Sequence, residues 1–274
     1  MIIEAFVTAD IVSFLKLAAQ ESWVAEPWEF DFLLAEFPQG CFVARESGGQ
    51  TAGFVTALRH GNSGWIGNLI VAQQFRGRGI GEALFKCALE SLQQSAVESI
   101  WLTASSAGSP LYEKHGFSGV DTIIRWVGTG RGRRVAHLPS GHQDLLAASS
   151  NALDVQTWGD QRSTLLETTA RRGRLLQNES GFMVLQPCGD ALQIGPFSAR
   201  SDAAAELLLS AAARTVALGT KILVDAPASN RSALRLYNRR KMRISGTNLL
   251  MYAGTKPAYR PELLYGLASM GSCG

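Results

Sequence analysis

LIVAQQFRGRGIGEALFKCAL, residues 69–89, reads as a buried strand, a glycine-spaced turn and a helix in direct succession. Glycines at positions 77, 79 and 81 allow left-handed backbone conformations and let a ligand approach the main chain closely. The first turn of a helix also presents amide N–H groups without intrahelical partners, together with the positive end of the helix dipole. The stretch therefore predicts an anion site, best suited to a pyrophosphate.

Two arginines, Arg76 and Arg78, add positive charge beside this turn. The spacing G-x-G-x-G differs from the dinucleotide pattern G-x-G-x-x-G, and no Lys-Ser or Lys-Thr follows as in a P-loop. Taken alone, the stretch leaves an ordinary glycine turn as the alternative interpretation.

A second motif, LYEKHGF at residues 111–117, favours the ligand-binding interpretation. Tyr112 lies 36 residues after Arg76 and follows a strand of its own. Together the two motifs resemble the GNAT superfamily of N-acetyltransferases. Arg76, Gly79 and Gly81 match its R/Q-x-x-G-x-G/A signature, and the Tyr112 segment matches its downstream L-Y-E-K-x-G-F. The resemblance covers roughly residues 2–128.

The resemblance implies acetyl-CoA as the acyl donor, with its pyrophosphate on the glycine turn. The preceding strand would pair its backbone with the pantetheine arm and the acetyl carbonyl. The cofactor-binding residues expected on this basis are Leu69, Ile70, Val71, Arg76, Gly77, Arg78, Gly79, Ile80, Gly81 and Ser105. Ser105 departs from the family, because many members carry Asn at this position, seven residues before the tyrosine, and that Asn commonly contacts the CoA arm.

The family reaction is direct attack of a neutral amine on the thioester carbonyl. The Leu69 or Ile70 N–H is our candidate donor to the oxyanion, and Tyr112, by its match, is the candidate acid for the leaving thiolate. A tyrosine that only packs against the cofactor is the alternative. The sequence does not identify the base: four acids border the expected acceptor pocket, each of which could equally be a solvated surface residue, namely Glu21, Glu26, Glu29 and Asp31.

Composition limits the other classes of function. Of 274 residues, 46% are hydrophobic and 18% are charged, which predicts a well-buried globular chain. A net charge of +3 is too small for a nucleic-acid footprint, so no nucleic-acid partner is expected. The four cysteines have no zinc-like or disulfide-like spacing, which predicts reduced thiols and no metal. Without a basic signal segment or about 18 consecutive apolar residues, the chain is expected in the cytoplasm, away from membranes.

Hydrophobic periodicity predicts a mixed α/β sheet in the first half. Helices are expected over residues 11–20, 32–37 and 81–93 and around Tyr112. Strands are expected over residues 41–44 and 53–58, joined by the Gly48-Gly49 turn, and over 65–71, 99–103 and 122–127.

A faint internal repeat indicates a second domain of the same fold. Residues 100–117 align with residues 222–242, so that Tyr112 matches Tyr237 at an offset of 125. Residues 128–141 are rich in Gly and Arg, which is typical of a connection. We therefore predict two GNAT-like domains in tandem: an acetyl-CoA-binding domain at 1–130, a linker at 131–144 and a second domain at 145–274.

The second domain is expected to be degenerate. It keeps an Asn seven residues before its tyrosine, Asn230, but no glycine ladder precedes its Ala-rich helix, predicted over residues 202–217. The predicted consequence is one acetyl-CoA per chain. Strings such as GDQRSTLL (159–166) and PELLYGLASMG (261–271) resemble a bacterial subgroup of tandem GNAT proteins, the YitH/HolE type. Its polar markers here, Arg162 and Asp225, are expected to be structural, Asp225 as a cap of the next turn.

The sequence therefore predicts an acetyl-CoA-dependent N-acetyltransferase acting on a primary amine of a small molecule. The alternative is an acetyl-CoA sensor without turnover. It is supported by the unidentified base and by Ser105, which replaces the family's Asn. A protein lysine is disfavoured as acceptor, because the second domain would crowd a peptide groove. The identity of the amine, the oligomeric state and any ligand of the second domain stay open.

Overall fold

The computed structural model describes residues 1–132 and 146–274, so most of the predicted linker, residues 133–144, lies outside the described chain. The first half contains β1 Ile2–Ala5, α1 Ile11–Gln20, α2 Pro27–Glu36, β2 Phe42–Arg45, β3 Thr51–Arg59, β4 Ser63–Val71, α3 Ile80–Gln94, β5 Ser99–Ala104, α4 Ser109–Glu113 and β6 Ser118–Thr129. The second half contains α5 Ala148–Trp158, α6 Ser163–Arg172, β7 Arg174–Asn178, β8 Gly181–Cys188, β9 Ala191–Ala199, α7 Asp202–Thr215, β10 Lys221–Pro227, α8 Arg231–Arg239, β11 Arg243–Gly254 and β12 Leu264–Gly266. Within these two ranges, none of the helices has the length and apolarity needed to cross a bilayer.

The strands form one mixed sheet in the order β1-β2-β3-β4-β5-β11-β6-β10-β9-β8-β7, with β12 paired to β9. The two halves exchange their last long strands. Strand β11 of the second half lies between β5 and β6, and strand β6 of the first half lies between β11 and β10. Each half therefore completes the sheet of the other.

Strands β4 and β5 are parallel neighbours that separate soon after they begin. They pair only from Ser63 and Ser99 to Trp65 and Trp101. Asn68 then takes a φ of 54°, and the register with β3 shifts between Phe54 and Thr56, which marks a bulge in β4. A bulge bends its strand away from the neighbour. The result is a gap between β4 and β5, here called the first wedge.

The same arrangement recurs in the second half. Strands β9 and β10 are parallel and pair from Ala191 and Lys221 to Ile194 and Val224, after which the pairing ends. We call the gap beyond this point the second wedge. The repeat inferred from sequence therefore extends to the geometry of the two strands on either side of each gap.

Packing joins the halves as firmly as the hydrogen bonds do. An aromatic cluster combines Trp65 and Trp101 of the first half with Trp158 and Tyr259 of the second, with ring centroids 5.5–6.2 Å apart. Both Trp65 and Trp158 are at least 97% buried. The two halves thus share one interior at this point, which removes apolar surface of both from water.

Most predicted elements are confirmed, and the differences have physical reasons. Helix α2 begins at Pro27, five residues before the predicted start, because Pro is favoured at the first helical position. Strand β1 was not predicted, because it is a four-residue edge strand whose side chains are mostly exposed. Strands β7 and β12 were missed as well, since both are short and neither alternates between buried and exposed positions. The mixed α/β class and the tandem arrangement are confirmed.

The strand exchange predicts that residues 1–130 do not fold alone. In that fragment β5 and β6 lose the strand between them, and both keep apolar faces without cover. We expect circular dichroism of the fragment to show no cooperative thermal transition, while the full chain shows one. A fragment that melts cooperatively with native-like ellipticity would contradict the exchange.

Candidate active site

The turn between β4 and α3 presents a row of free amides. Gly77 and Gly79 have φ angles of 76° and 77°, and no described atom lies within 4 Å of a Cβ built on either. Helix α3 starts without a side-chain cap, and the first amide to bond back is that of Ala83, to the Gly79 carbonyl. Over the described residues, no acceptor meets the six amides of residues 77–82. This is the arrangement expected of an anion cradle.

The two arginines of the turn are engaged by neighbouring acids. Arg76 donates from Nε to the Val71 carbonyl at 2.9 Å and pairs with Glu21 at 2.5 Å. Arg78 pairs with Glu46 at 3.2 Å. Both guanidinium groups are about half exposed, and exposed ion pairs of this kind contribute little to stability. The arginines can therefore leave their acidic partners at little cost in free energy. The amides are the preformed hydrogen-bond donors of the cradle.

The end of β4 presents main-chain groups to the first wedge. The Ala72 amide donates to the Ala52 carbonyl, so the alternation of an antiparallel ladder directs the Ile70 amide towards β3. The amides of Leu69 and Val71 point the other way, into the wedge. Of the two predicted oxyanion donors, Leu69 fits this geometry. Ile70 does not, because its N–H belongs to the ladder.

Tyr112 lies in α4 and packs against Phe85 and Phe117, with ring centroids 5.1 and 6.3 Å away. The residue is 9% exposed, and its hydroxyl has no hydrogen-bond partner among the residues described. Burial raises the pKa of Tyr112 to about 12. The phenol therefore stays protonated at neutral pH and is available as a donor.

Ser105 shapes the loop that leads into α4. Its hydroxyl accepts a hydrogen bond from the Gly108 amide at 3.2 Å. The side chain that replaces the family's Asn thus closes a local turn, and its O–H remains able to donate.

The equivalent helix start in the second half is blocked. The Ser201 hydroxyl caps α7 by accepting from the Ala204 amide at 3.2 Å, and Asp202 places a carboxylate in the first turn. A capped, negatively charged helix start does not attract an anion. The degeneracy predicted from the missing glycines therefore has a direct structural counterpart.

The second wedge is filled by the chain itself. The Tyr237 hydroxyl, which corresponds to that of Tyr112, donates to the Tyr265 carbonyl, and the Tyr265 hydroxyl donates to Asp202 at 3.3 Å. Tyr265 thus spans from the repeat's tyrosine to the start of α7. The Leu267 amide also bonds to the Asp225 carbonyl at 2.8 Å. No sequence motif indicated this role of Tyr265, because the role depends on contacts between distant segments.

Asn230 is part of the same closure. Its Oδ1 accepts from the Ala233 amide at 2.9 Å and so caps α8, while its Nδ2 donates to the Leu264 carbonyl at 2.8 Å. The residue that keeps the family spacing therefore holds β12 in place.

Both polar markers of the second half form buried ion pairs. Arg162 pairs in bidentate fashion with Asp154 and stacks 4.4 Å from the Trp158 ring. Asp225, fully buried, receives two hydrogen bonds of 2.7 Å from Arg125 of β6. The expected cap role of Asp225 is therefore wrong: the carboxylate joins the two halves.

The side of the first wedge next to α1 and α2 is enclosed by both halves. The Asn68 amide donates to the Gly271 carbonyl at 3.0 Å. The Gly189 amide of the β8–β9 turn donates to Glu26, and Arg172 of α6 lies 4.7 Å from the Trp28 ring. This brings the second half over the α1–α2 region.

The four predicted base candidates lie in different surroundings. Glu21 pairs with Arg76, Glu26 accepts from Gly189, and Asp31 is exposed. Glu29 accepts a hydrogen bond from Ser272 of the second half, and burial is the main cause that raises its pKa to about 7.

Comparison with known proteins agrees with this geometry. Residues 38–119 match a family model described as an acetyltransferase (GNAT) domain, and residues 151–266 match a second model with the same description. A proposed acetyltransferase from Pyrococcus horikoshii has a TM-score of 0.84 at 25% identity, over 100% of this chain and 95% of its own.

A GCN5-related N-acetyltransferase from Sphaerobacter thermophilus shares the fold, with a TM-score of 0.62 at 21% identity over 97% of this chain and 98% of its own. No curated protein matches the chain in sequence. The two matched regions each contain one of the wedges described above. The chain is therefore a tandem of two GNAT acetyltransferase domains, and it is an N-acetyltransferase.

Proposed function

We propose that the first domain binds one acetyl-CoA and transfers the acetyl group to a primary amine of a small molecule by direct attack. The observation that carries this proposal is the row of unpartnered amides at residues 77–82, which leads from the open end of β4. GNAT acetyltransferases use acetyl-CoA, and the residues present here fit that cosubstrate. The cradle would hold the pyrophosphate, and the amides of Leu69 and Val71 would bond to the pantetheine arm and acyl group.

The remaining predicted cofactor residues surround this path. A Cβ built on Gly81 would lie 3.5 Å from the Val71 side chain, so the helix start and the strand end are close together. The Ile80 side chain is buried beneath the cradle, which leaves its amide for the ligand. Arg76 and Arg78 would exchange their exposed acidic partners for phosphate, and the Ser105 hydroxyl would donate to the arm.

The chemistry follows from these positions. The amine nitrogen attacks the thioester carbonyl, and the Leu69 N–H donates to the developing oxyanion. As the C–S bond breaks, the Tyr112 hydroxyl donates a proton to the leaving sulfur. Its raised pKa keeps the phenol protonated before the reaction.

A small acceptor is favoured by the enclosure of the acceptor side. The β8–β9 turn, helix α6 and the residues around Gly271 all lie against the α1–α2 region. A peptide groove would need this surface to be open. The second domain therefore acts as a wall that selects small amines.

The finer classification is also a proposal. We assign the chain to the YitH/HolE-type bacterial subgroup on the strings quoted above, with domains at 1–130 and 145–274 around a 131–144 linker. We also propose a cytoplasmic location, as expected from the sequence.

Calorimetric titration with CoA tests the cofactor site and is expected to give one site per chain. Gly79→Ala should weaken CoA binding at least tenfold. Ala disfavours the left-handed conformation by about 1–2 kcal/mol, and a change in the backbone conformation at this position would turn the neighbouring amides away from the ligand. Gly219→Ala is the matched control: its φ is 85°, and no described atom lies within 4 Å of its Cβ position. Two sites, or equal losses in both variants, would contradict the proposal.

A pair of tyrosine variants compares the two wedges. Tyr237→Phe removes a buried hydrogen bond to the Tyr265 carbonyl and should lower the free energy of unfolding by about 1–3 kcal/mol. Tyr112→Phe should leave stability unchanged and lower kcat by about 10²-fold or more. Thermal melts and steady-state rates measure the two effects. An unchanged kcat would remove the acid role of Tyr112.

Turnover itself is tested by incubating the protein with acetyl-CoA and a panel of amines while free thiol is followed colorimetrically. We expect thiol release that depends on the acceptor and saturates with it. Tight CoA binding without release from any amine would instead support the sensor function.

A further inference from the structure

Glu29 is an acid in the first turn of α2 that faces into the molecule. Its Oε1 accepts a hydrogen bond from the Glu26 amide at 3.4 Å, within the same turn. Its Oε2 accepts one from the hydroxyl of Ser272, which lies 243 positions away in the chain. The carboxylate is therefore held between its own helix and a residue contributed by the second half.

Ser272 stands beside the point where β4 leaves β5. A Cβ built on Gly67 would lie 2.9 Å from the Ser272 Cα. The preceding residue, Gly271, accepts from the amide of Asn68, the bulge residue, at 3.0 Å. Ser272 is 1% exposed, and its hydroxyl also contacts that of Ser269 at 2.7 Å. The backbone of Ser272 thus lies against β4 two residues before Leu69.

Burial sets the charge state of Glu29. It raises the pKa of the carboxyl to about 7, against the hydrogen bonds from Ser272 and the Glu26 amide, which lower it. The charged groups that face it are Glu26 on its own helix, which raises its pKa, and Arg125 of β6, which lowers it. Arg172 of α6 also interacts electrostatically with the Glu29 carboxylate.

Two thiols face the carboxyl as neutral groups. Burial raises the pKa of Cys188, at the end of β8, to about 11 and that of Cys273 to about 12. A group that titrates near the working pH serves best as a general base.

We propose that Glu29 accepts the proton of the incoming amine through the hydroxyl of Ser272. This inference rests on the proposed function and names the base that the reaction requires. The relay joins an acid of the first domain to a hydroxyl of the second, so the active site is complete only with both.

The relay moves one proton from the amine to Glu29 in each turnover. The acceptor arrives as an ammonium ion and gives one proton to the Ser272 oxygen, while the Ser272 hydroxyl proton passes to Glu29 Oε2. The freed lone pair forms the N–C bond, and the C–S bond breaks. The second nitrogen proton is lost as the tetrahedral intermediate collapses, and the thiolate is protonated by Tyr112, which regains a proton from that nitrogen or from water. Glu29 then releases its proton to solvent.

The test is the pH dependence of kcat/KM in four proteins: wild type, Glu29→Gln, Ser272→Ala and Glu36→Gln. Wild-type activity should rise through an inflection near pH 7, because Glu29 must be deprotonated to accept a proton. Glu29→Gln should lower kcat at pH 7 by 10²-fold or more and abolish that inflection, with CoA affinity within twofold of wild type. Glu36→Gln is the matched control, because Glu36 is an exposed acid at the end of the same helix with no assigned role, and it should change kcat less than twofold.

Ser272→Ala distinguishes a Ser272 hydroxyl that relays protons from a segment that only obstructs the acceptor. Loss of the Ser272 hydrogen bond should lower kcat and move the inflection above pH 7, because that bond lowers the Glu29 pKa. Higher activity in this variant would overturn the proposal and show that the segment obstructs the acceptor. An inflection retained in Glu29→Gln would overturn it as well. If wild type binds CoA but releases no thiol with any amine, the proposed function fails instead.

A stability measurement excludes a merely structural role. A carboxyl whose pKa is raised on folding costs stability once the pH exceeds its unfolded value and costs most above its folded value. Glu29→Gln should therefore raise Tm at pH 8 and leave it unchanged at pH 4. A lower Tm at pH 8 together with lost activity would assign Glu29 to structure alone.

Discussion

The main-chain hydrogen bonds that β11 makes on both sides, with β5 and with β6, are the constraint on which this molecule depends. Because β6 in turn lies between β11 and β10, neither half contains a complete sheet by itself. The bidentate pair of Arg125 and Asp225 crosses the same seam, as does the cluster around Trp158. Removing one partner of a buried pair costs about 3–5 kcal/mol, so the seam needs residues from both halves. The positions of both wedges relative to each other follow from it.

Two copies of one fold differ at their equivalent clefts. In the second, Ser201 occupies an amide and Tyr265 occupies the tyrosine hydroxyl. In the first, residues 270–271 bond to β4 and β5 where the strands part, but the amides at residues 77–82 and the Tyr112 hydroxyl have no partner in the described chain. A buried donor or acceptor must find a partner from the protein or from a ligand. The first cleft therefore leaves its anion cradle and its tyrosine to a ligand, whereas the second has satisfied both internally.

Local chemistry could be predicted from the sequence, and contacts between distant segments could not. The glycine turn lies within a few residues and was identified from its spacing, and Tyr112 was identified from the resemblance of its short segment to the GNAT motif. The strand exchange, the filling by Tyr265 and the contact of Glu29 with Ser272 join positions far apart in the chain. Local propensity carries no information about such pairings. Among four acids of similar appearance, the contact with Ser272 of the second half distinguishes Glu29.

The interleaving of β6 and β11 also bears on how the polypeptide could be divided. A cut between residues 132 and 146 would sever the covalent link and leave the seam of hydrogen bonds, aromatic rings and buried charges untouched. Two separately translated pieces would then be obligate partners, each supplying the central strand that the other lacks. Such a pair would behave as a split protein whose reassembly restores the catalytic cleft.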